Sequence, residues 1–209
     1  MNLFTLQNYE NNRSLHPFLR VLDKQSWTFM NEFVDLSHVF EDSMPGFKLK
    51  NEDGSFTQYT AKIYPFLTHE QSKPKFSGLA EFEITQIEFQ TSIGTYLDSP
   101  YHRHKKLRDI SSITIDQAIR EGLLIDVREC NPNEEINFET IPFVDLENKA
   151  ILFNFGWDKY WGKEEYYKYP FISEKIIQFL IEKKVGMVGV DTINIDNIKN
   201  LKRPAHTKL

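Results

Sequence analysis

The chain reads as an α/β domain with a mixed sheet, and three observations predict that class. Apolar runs of strand length dominate its earlier part. In its later part such runs alternate with helix-period segments. One stretch, SEKIIQFLIEKK at 173–184, carries a clear helical apolar face. A length of 209 residues suits one domain, and 17 Phe, 9 Tyr and 3 Trp supply its core, so disorder throughout is excluded.

In order along the chain, residues 1–32 form a polar, Asn-rich extension with a short helix expected around Phe18 to Phe29. The domain then covers 33–209. Phe33 to Leu36 is expected as a short strand, and Met44-Pro45-Gly46 as a loop. Residues 50–78 read as loop-rich, punctuated by Gly54, Pro65, Pro74 and Gly78. The run AEFEITQIEFQT at 80–91 is strand-like, and its imperfect alternation suggests a bulge near Gln86. Ile115 to Glu121 has helical spacing, with Thr114 or Asp116 as the cap and Gly122 as the stop. LLIDV at 123–127, AILFNFGW at 150–157 and VGMVGVD at 185–191 are buried strands, and Phe138 to Ile141 could start a helical turn. Ser173 caps the late helix, Ile176, Ile177, Leu180 and Ile181 form its apolar face, and Lys183 and Lys184 suit its C-terminal dipole.

Charge and cysteine content narrow the function classes. A net charge of −5 argues against a nucleic-acid partner, and the basic run Arg103 to Arg108 reads as a solvated loop. No apolar run approaches the ~18 residues of a membrane span. The start shows no basic region followed by an apolar stretch, so a cytoplasmic protein is expected. Cys130 is the only cysteine, which excludes an intramolecular disulfide and a cysteine-based zinc site. It reads as a buried or inert thiol rather than a nucleophile.

The densest polar cluster is the segment from Ser92 to His102, SIGTYLDSPYH. Gly94 allows a tight backbone path at a strand end. Tyr96 and Asp98 are two apart, so on extended chain they share a face. Pro100 turns the chain and presents His102 four residues after Asp98. A phenol, an acid and an imidazole so placed can position water or polarise a carbonyl. The same spacing also reads as a hydrogen-bonded turn with His102 exposed.

This stretch resembles the signature of the cyclase family that includes bacterial kynurenine formamidase and isatin hydrolase. Other segments resemble that family in the same order: Asp35-Leu36-Ser37-His38 with Met44-Pro45, Phe155-Gly156-Trp157-Asp158, Val188-Gly189-Val190-Asp191 with Ile195-Asp196, and Arg203-Pro204-Ala205-His206. The resemblance implies a layered β/β/α swivelling-type domain with a mixed sheet, commonly a dimer. It implies hydrolysis of amide or lactam C–N bonds with zinc or manganese, in which a metal-bound hydroxide attacks the carbonyl.

The departures from that pattern fall on the metal. Ser92 and Tyr96 stand where the family places two histidine ligands, and the final glutamate has no counterpart before the chain stops at Leu209. Of the ligand positions the resemblance implies, Asp98 and His206 remain, and so does the catalytic-base histidine, His102. A catalytic zinc takes about three protein ligands, so the usual metal centre is not expected. Two readings follow. In one, His102 is the general base, Asp98 orients it and Tyr96 donates to the carbonyl of a small-molecule substrate bound by Ser92, Trp157 and His206. In the other, the protein is a homologue that binds a ligand without turnover.

The remaining candidates have plainer readings. Trp157, Tyr160 and Trp161 line a pocket by stacking, or are core or interface aromatics. His38, His69 and His104 read as surface or turn residues, and Asp191 and Asp196 as turn carboxylates. A triad of Ser99, His102 and Asp98 lacks the sharp elbow such a nucleophile needs.

Overall fold

The computed structural model describes residues 34–137 and 145–209. The expected extension at 1–32, its helix, and the expected turn from Phe138 to Ile141 lie outside the described residues. The chain divides after Leu97 into two compact units.

The first unit is built from two hairpins. Strand β1 (Pro45–Lys50) pairs antiparallel with β2 (Phe56–Thr60). Between them Gly54 takes φ 83°, and the Asn51 N–H donates to Ser55 O at 2.8 Å. Strand β3 (Lys62–Leu67) pairs antiparallel with β4 (Ile84–Glu88). The short helix α1 (His69–Ser72) separates them and opens on a Thr68–Gln71 capping box. Most of this unit was expected to be loop. The prolines and polar residues of 45–67 obscured it, although Asp53-Gly54 between alternating runs is a hairpin signal.

Two further expectations are corrected here. Val34 to Leu36 is irregular rather than a strand, because the Asp35 side chain accepts from the Ser37 N–H and offers the backbone a local partner. The register break lies on β3, where Phe66 is the extra residue between Pro65 and Leu67, and not at Gln86 on β4.

The second unit carries a parallel three-stranded sheet. β5 (Gly122–Asp126), β7 (Ala150–Asn154) and β9 (Met187–Val190) lie in the order β5-β7-β9. The helix before it, α2 (Ile115–Ala118), starts at Thr114, whose N–H donates to the Gln117 side chain. Gly122 opens β5 instead of ending that helix. A second, short parallel pair joins β6 (Glu135–Ile136) to β8 (Phe171–Ile172). Between β7 and β9 runs α3 (Glu174–Glu182), with the Ser173 hydroxyl accepting from the Ile176 N–H as expected of its cap. The last element is α4 (Pro204–Lys208). The α/β class holds; antiparallel and parallel pairing are both present but occupy separate sheets.

The core of this unit joins the parallel sheet to α3. Ile125, Ile151, Phe153 and Phe155 meet Ile176, Ile177 and Leu180, each 1% exposed or less. Each such side chain contributes about 1.5–3 kcal/mol on leaving water. Replacing Ile177 by Ala should therefore remove ~2–5 kcal/mol of stability without changing the far-UV spectrum. Urea unfolding checks this, and a loss well under ~1 kcal/mol would contradict this packing.

Candidate functional site

Two segments far apart in sequence meet in the second unit. The first begins at Asp98. Ser99 is extended, and Pro100 opens a single turn that closes when the His102 N–H donates to Ser99 O at 2.9 Å. The four-residue spacing then brings His102 Nδ1 to 3.5 Å from Asp98 Oδ1. Both side chains reach solvent, His102 at 49% and Asp98 at 34% exposure.

The second segment is built around a buried carboxylate. Arg203 adopts a left-handed φ of 46°, and Pro204 starts α4 where a missing N–H costs nothing. The next N–H groups have no partner within the helix. Asp196 takes both: Ala205 N–H donates to its Oδ1 at 2.8 Å and His206 N–H to its Oδ2 at 3.1 Å. The same Oδ2 lies 2.7 Å from His206 Nδ1. Burial pushes the Asp196 carboxyl up, but the hydrogen bonds from the His206 side chain and from the Ala205 and His206 amides outweigh it, so it stays below its ordinary range. Asn194 braces the loop, accepting from the Asp196 N–H and from Arg203 Nη2, each at 2.9 Å.

The two imidazoles stand close. The rings of His102 and His206 have centroids 6.2 Å apart, with planes inclined at 45°. His104 Nε2 approaches Thr207 O at 3.3 Å, tying the loop after His102 to α4. Two carboxylate–imidazole pairs thus share one region. With Nδ1 of His206 held by a carboxylate, Nε2 remains for a ligand.

The other residues singled out from sequence fall elsewhere. Ser92 and Tyr96 belong to the first unit. There Tyr96 lines an apolar cavity of about 370 Å³ with Phe40, Ile87 and Phe89. Gly94 has φ 60°, and a Cβ on it would lie 2.6 Å from Met44 Cε, so the tight path expected of it is real. His38 is half-buried, and its backbone N–H donates to Thr95 Oγ1. Trp157 is 4% exposed and meets Tyr160 edge-on at 4.9 Å, which places it in the core of the second unit. Asp191 fastens the chain after β7, accepting from the Phe155 and Trp157 amides at 2.8 and 3.1 Å. Burial pushes its carboxyl up against those bonds. Burial also pushes the Cys130 thiol up to about 11, aided by Glu134 and Asp191, so it stays protonated at neutral pH.

Asp196, read from sequence as a turn carboxylate, does bond backbone amides, and it is also 1% exposed and bonded to the His206 ring. Its separation from His206 follows no local period, so only the tertiary path of 197–203 brings them together.

Among the described residues, no three His, Cys, Asp or Glu side chains form a group able to hold a metal ion. Ser92 and Tyr96 are poor substitutes for imidazole ligands. This donor set does not fit the zinc or manganese that the resemblance implies. No helix among the described residues is long and apolar enough to cross a membrane.

A family model described as "Putative cyclase" matches residues 34–197. The chain belongs to the cyclase family. This cyclase-family chain is 23% identical over 128 residues to kynurenine formamidase of Geobacillus thermodenitrificans (strain NG80-2), a match that covers 60% of the chain and 59% of that enzyme. Its fold is similar to that of an isatin hydrolase bound to the product analogue thioisatinate, with TM-score 0.63, 17% identity and coverage of 83% and 73% of the two chains. It is also similar to a predicted metal-dependent hydrolase from Bacillus stearothermophilus, with TM-score 0.58, 19% identity and coverage of 83% and 74%.

The electrostatics of Asp196 give a pH prediction. A carboxyl held below its unfolded value stabilises the fold above about pH 4, and that stability is lost as pH falls through the folded value. The urea midpoint of the wild-type protein should therefore drop more between pH 5 and pH 2 than that of Asp196→Asn. Equal drops would show that Asp196 is not held in this way.

Proposed function

We propose that this cyclase-family protein hydrolyses a C–N bond of a small amide or lactam using side chains in place of the family's usual metal. The observation that supports the reading is the Asp98–His102 pair standing beside His206, with ring centroids 6.2 Å apart. His102 acts as general base: its Nε2 takes a proton from water as the oxygen attacks the carbonyl carbon, while Asp98 holds Nδ1. The C–N bond then breaks, and the proton passes from His102 to the leaving nitrogen. Carboxylic acid and amine are the products. His206 contacts the substrate.

The relatives narrow the substrates to test. Kynurenine formamidase and isatin hydrolase act, by name, on a formamide and on isatin, so N-formyl arylamines and aryl lactams come first. A second copy of the chain is the partner in this reading. Its support is the set of large apolar side chains that the first unit leaves exposed, including Phe47, Phe56 and Phe66. A cytoplasmic place is also part of it, supported by the lone cysteine.

A second reading, ligand binding without turnover, is favoured by the loose 3.5 Å contact between His102 and Asp98 and by the unsuitable metal donor set. Turnover separates the two. On a panel of N-formyl arylamines, lactams and esters, wild-type kcat/KM should exceed that of His102→Ala by ~10²–10⁴-fold. It should survive dialysis against a chelator. No turnover above the variant would leave only the binding reading, and loss of turnover on chelation would show that a metal carries the reaction. Light scattering should give about twice 24.7 kDa, and the monomer mass would remove the second copy.

A further inference from the structure

The two imidazoles are held very differently. His102 is half exposed and meets its carboxylate at 3.5 Å. His206 is 18% exposed, and its carboxylate is fully enclosed at 2.7 Å. Asp196 is itself immobilised from several sides. Its oxygens receive the Ala205 and His206 amides, its own N–H donates to Asn194 Oδ1, and its carbonyl accepts from the Tyr169 hydroxyl at 3.0 Å. Capping α4 requires only the two amide bonds. The third bond, to the His206 ring, fixes a side chain, and the Arg203 guanidinium lies 3.6 Å from the same Oδ2.

A neutral imidazole carries its proton on either nitrogen, and the partner of one nitrogen decides the state of the other. An ionised carboxylate accepts only, so the nitrogen facing it must be the donor. From this geometry we propose that Asp196 is the positioning residue of His206: it keeps the proton on Nδ1 and leaves Nε2 as a bare acceptor for the ligand. This rests on the reading that His206 contacts substrate. It also narrows the ligand chemistry, since a bare Nε2 cannot donate: it accepts from an N–H or O–H group or coordinates a cation. A secondary amide, a lactam N–H or a bound water supplies such a donor. His206 and His102 then divide the work. The fixed ring orients the donor, and the looser ring, free to shift, carries the proton.

Asparagine at 196 provides the discriminating variant. It nearly preserves shape, and its carbonyl can still cap α4, but its amide can also donate to Nδ1 and so permits the opposite tautomer. The test is long-range ¹H–¹⁵N correlation on the full chain labelled with ¹⁵N-histidine, above the pH range in which imidazole titrates. His206→Gln identifies the His206 signals by their loss. The expected wild-type spectrum shows a protonated Nδ1 and a bare Nε2 at His206, and Asp196→Asn moves the proton to Nε2 or averages the two. A wild-type His206 protonated on Nε2, or averaged as in free histidine, overturns the proposal. So does a folded Asp196→Asn with an unchanged His206 pattern. The wild-type spectrum decides even where the variant does not fold. The outcomes also separate the two claims. A fixed tautomer with no turnover removes the hydrolase reading alone, and turnover with an averaged tautomer removes this inference alone.

Discussion

One buried charge organises the end of the second unit. The Asp196 carboxylate, 1% exposed, accepts from two backbone amides and stands 2.7 Å from an imidazole. A carboxylate withdrawn from water is tolerated only where such partners replace its hydration. Breaking one partner of a buried, charge-assisted set costs roughly 3–5 kcal/mol, because the other is left uncompensated. That asymmetry makes Asp196 a constraint as well as a contact. α4 must begin at Pro204, His206 must face the carboxylate, and the loop from Asn194 to Arg203 must close around them. Arg203 shows the strain of that closure in its left-handed φ of 46°, and its Nε pairs with Asp196 Oδ2 at 3.6 Å.

The two imidazoles of the second unit are held unequally, His206 at 2.7 Å from its carboxylate and His102 at 3.5 Å. In the proposed reaction the half-exposed His102 is the ring that transfers the proton. The enclosed Asp196 holds the His206 ring at 2.7 Å. The second unit holds two carboxylate–imidazole pairs, Asp98 with His102 and Asp196 with His206.

The second unit was largely legible in the sequence. Its strands are short apolar runs, and Ser173 with Ile176, Ile177 and Leu180 marks α3 by both cap and period. Signals of that kind are local, so the chain displays them residue by residue. The first unit was not. Its strands are mostly exposed on both faces, so alternation is weak, and Pro45 opens one strand while Pro65 lies inside another, where they read as breakers. At the site, the Asp98–His102 pair follows from a four-residue spacing around Pro100. The Asp196–His206 bond could not be read the same way, because it depends on a tertiary turn with no repeat or motif spacing of its own.

The most direct measurement of this account is amide hydrogen exchange at Ala205 and His206. Amides in the first turn of a five-residue terminal helix would ordinarily exchange as freely as exposed loop positions. If the Asp196 carboxylate holds them as described, both should be protected to the level of Ile177 in the core helix. Exchange as fast as at the exposed Leu201 would mean that the buried carboxylate does not organise this end of the protein.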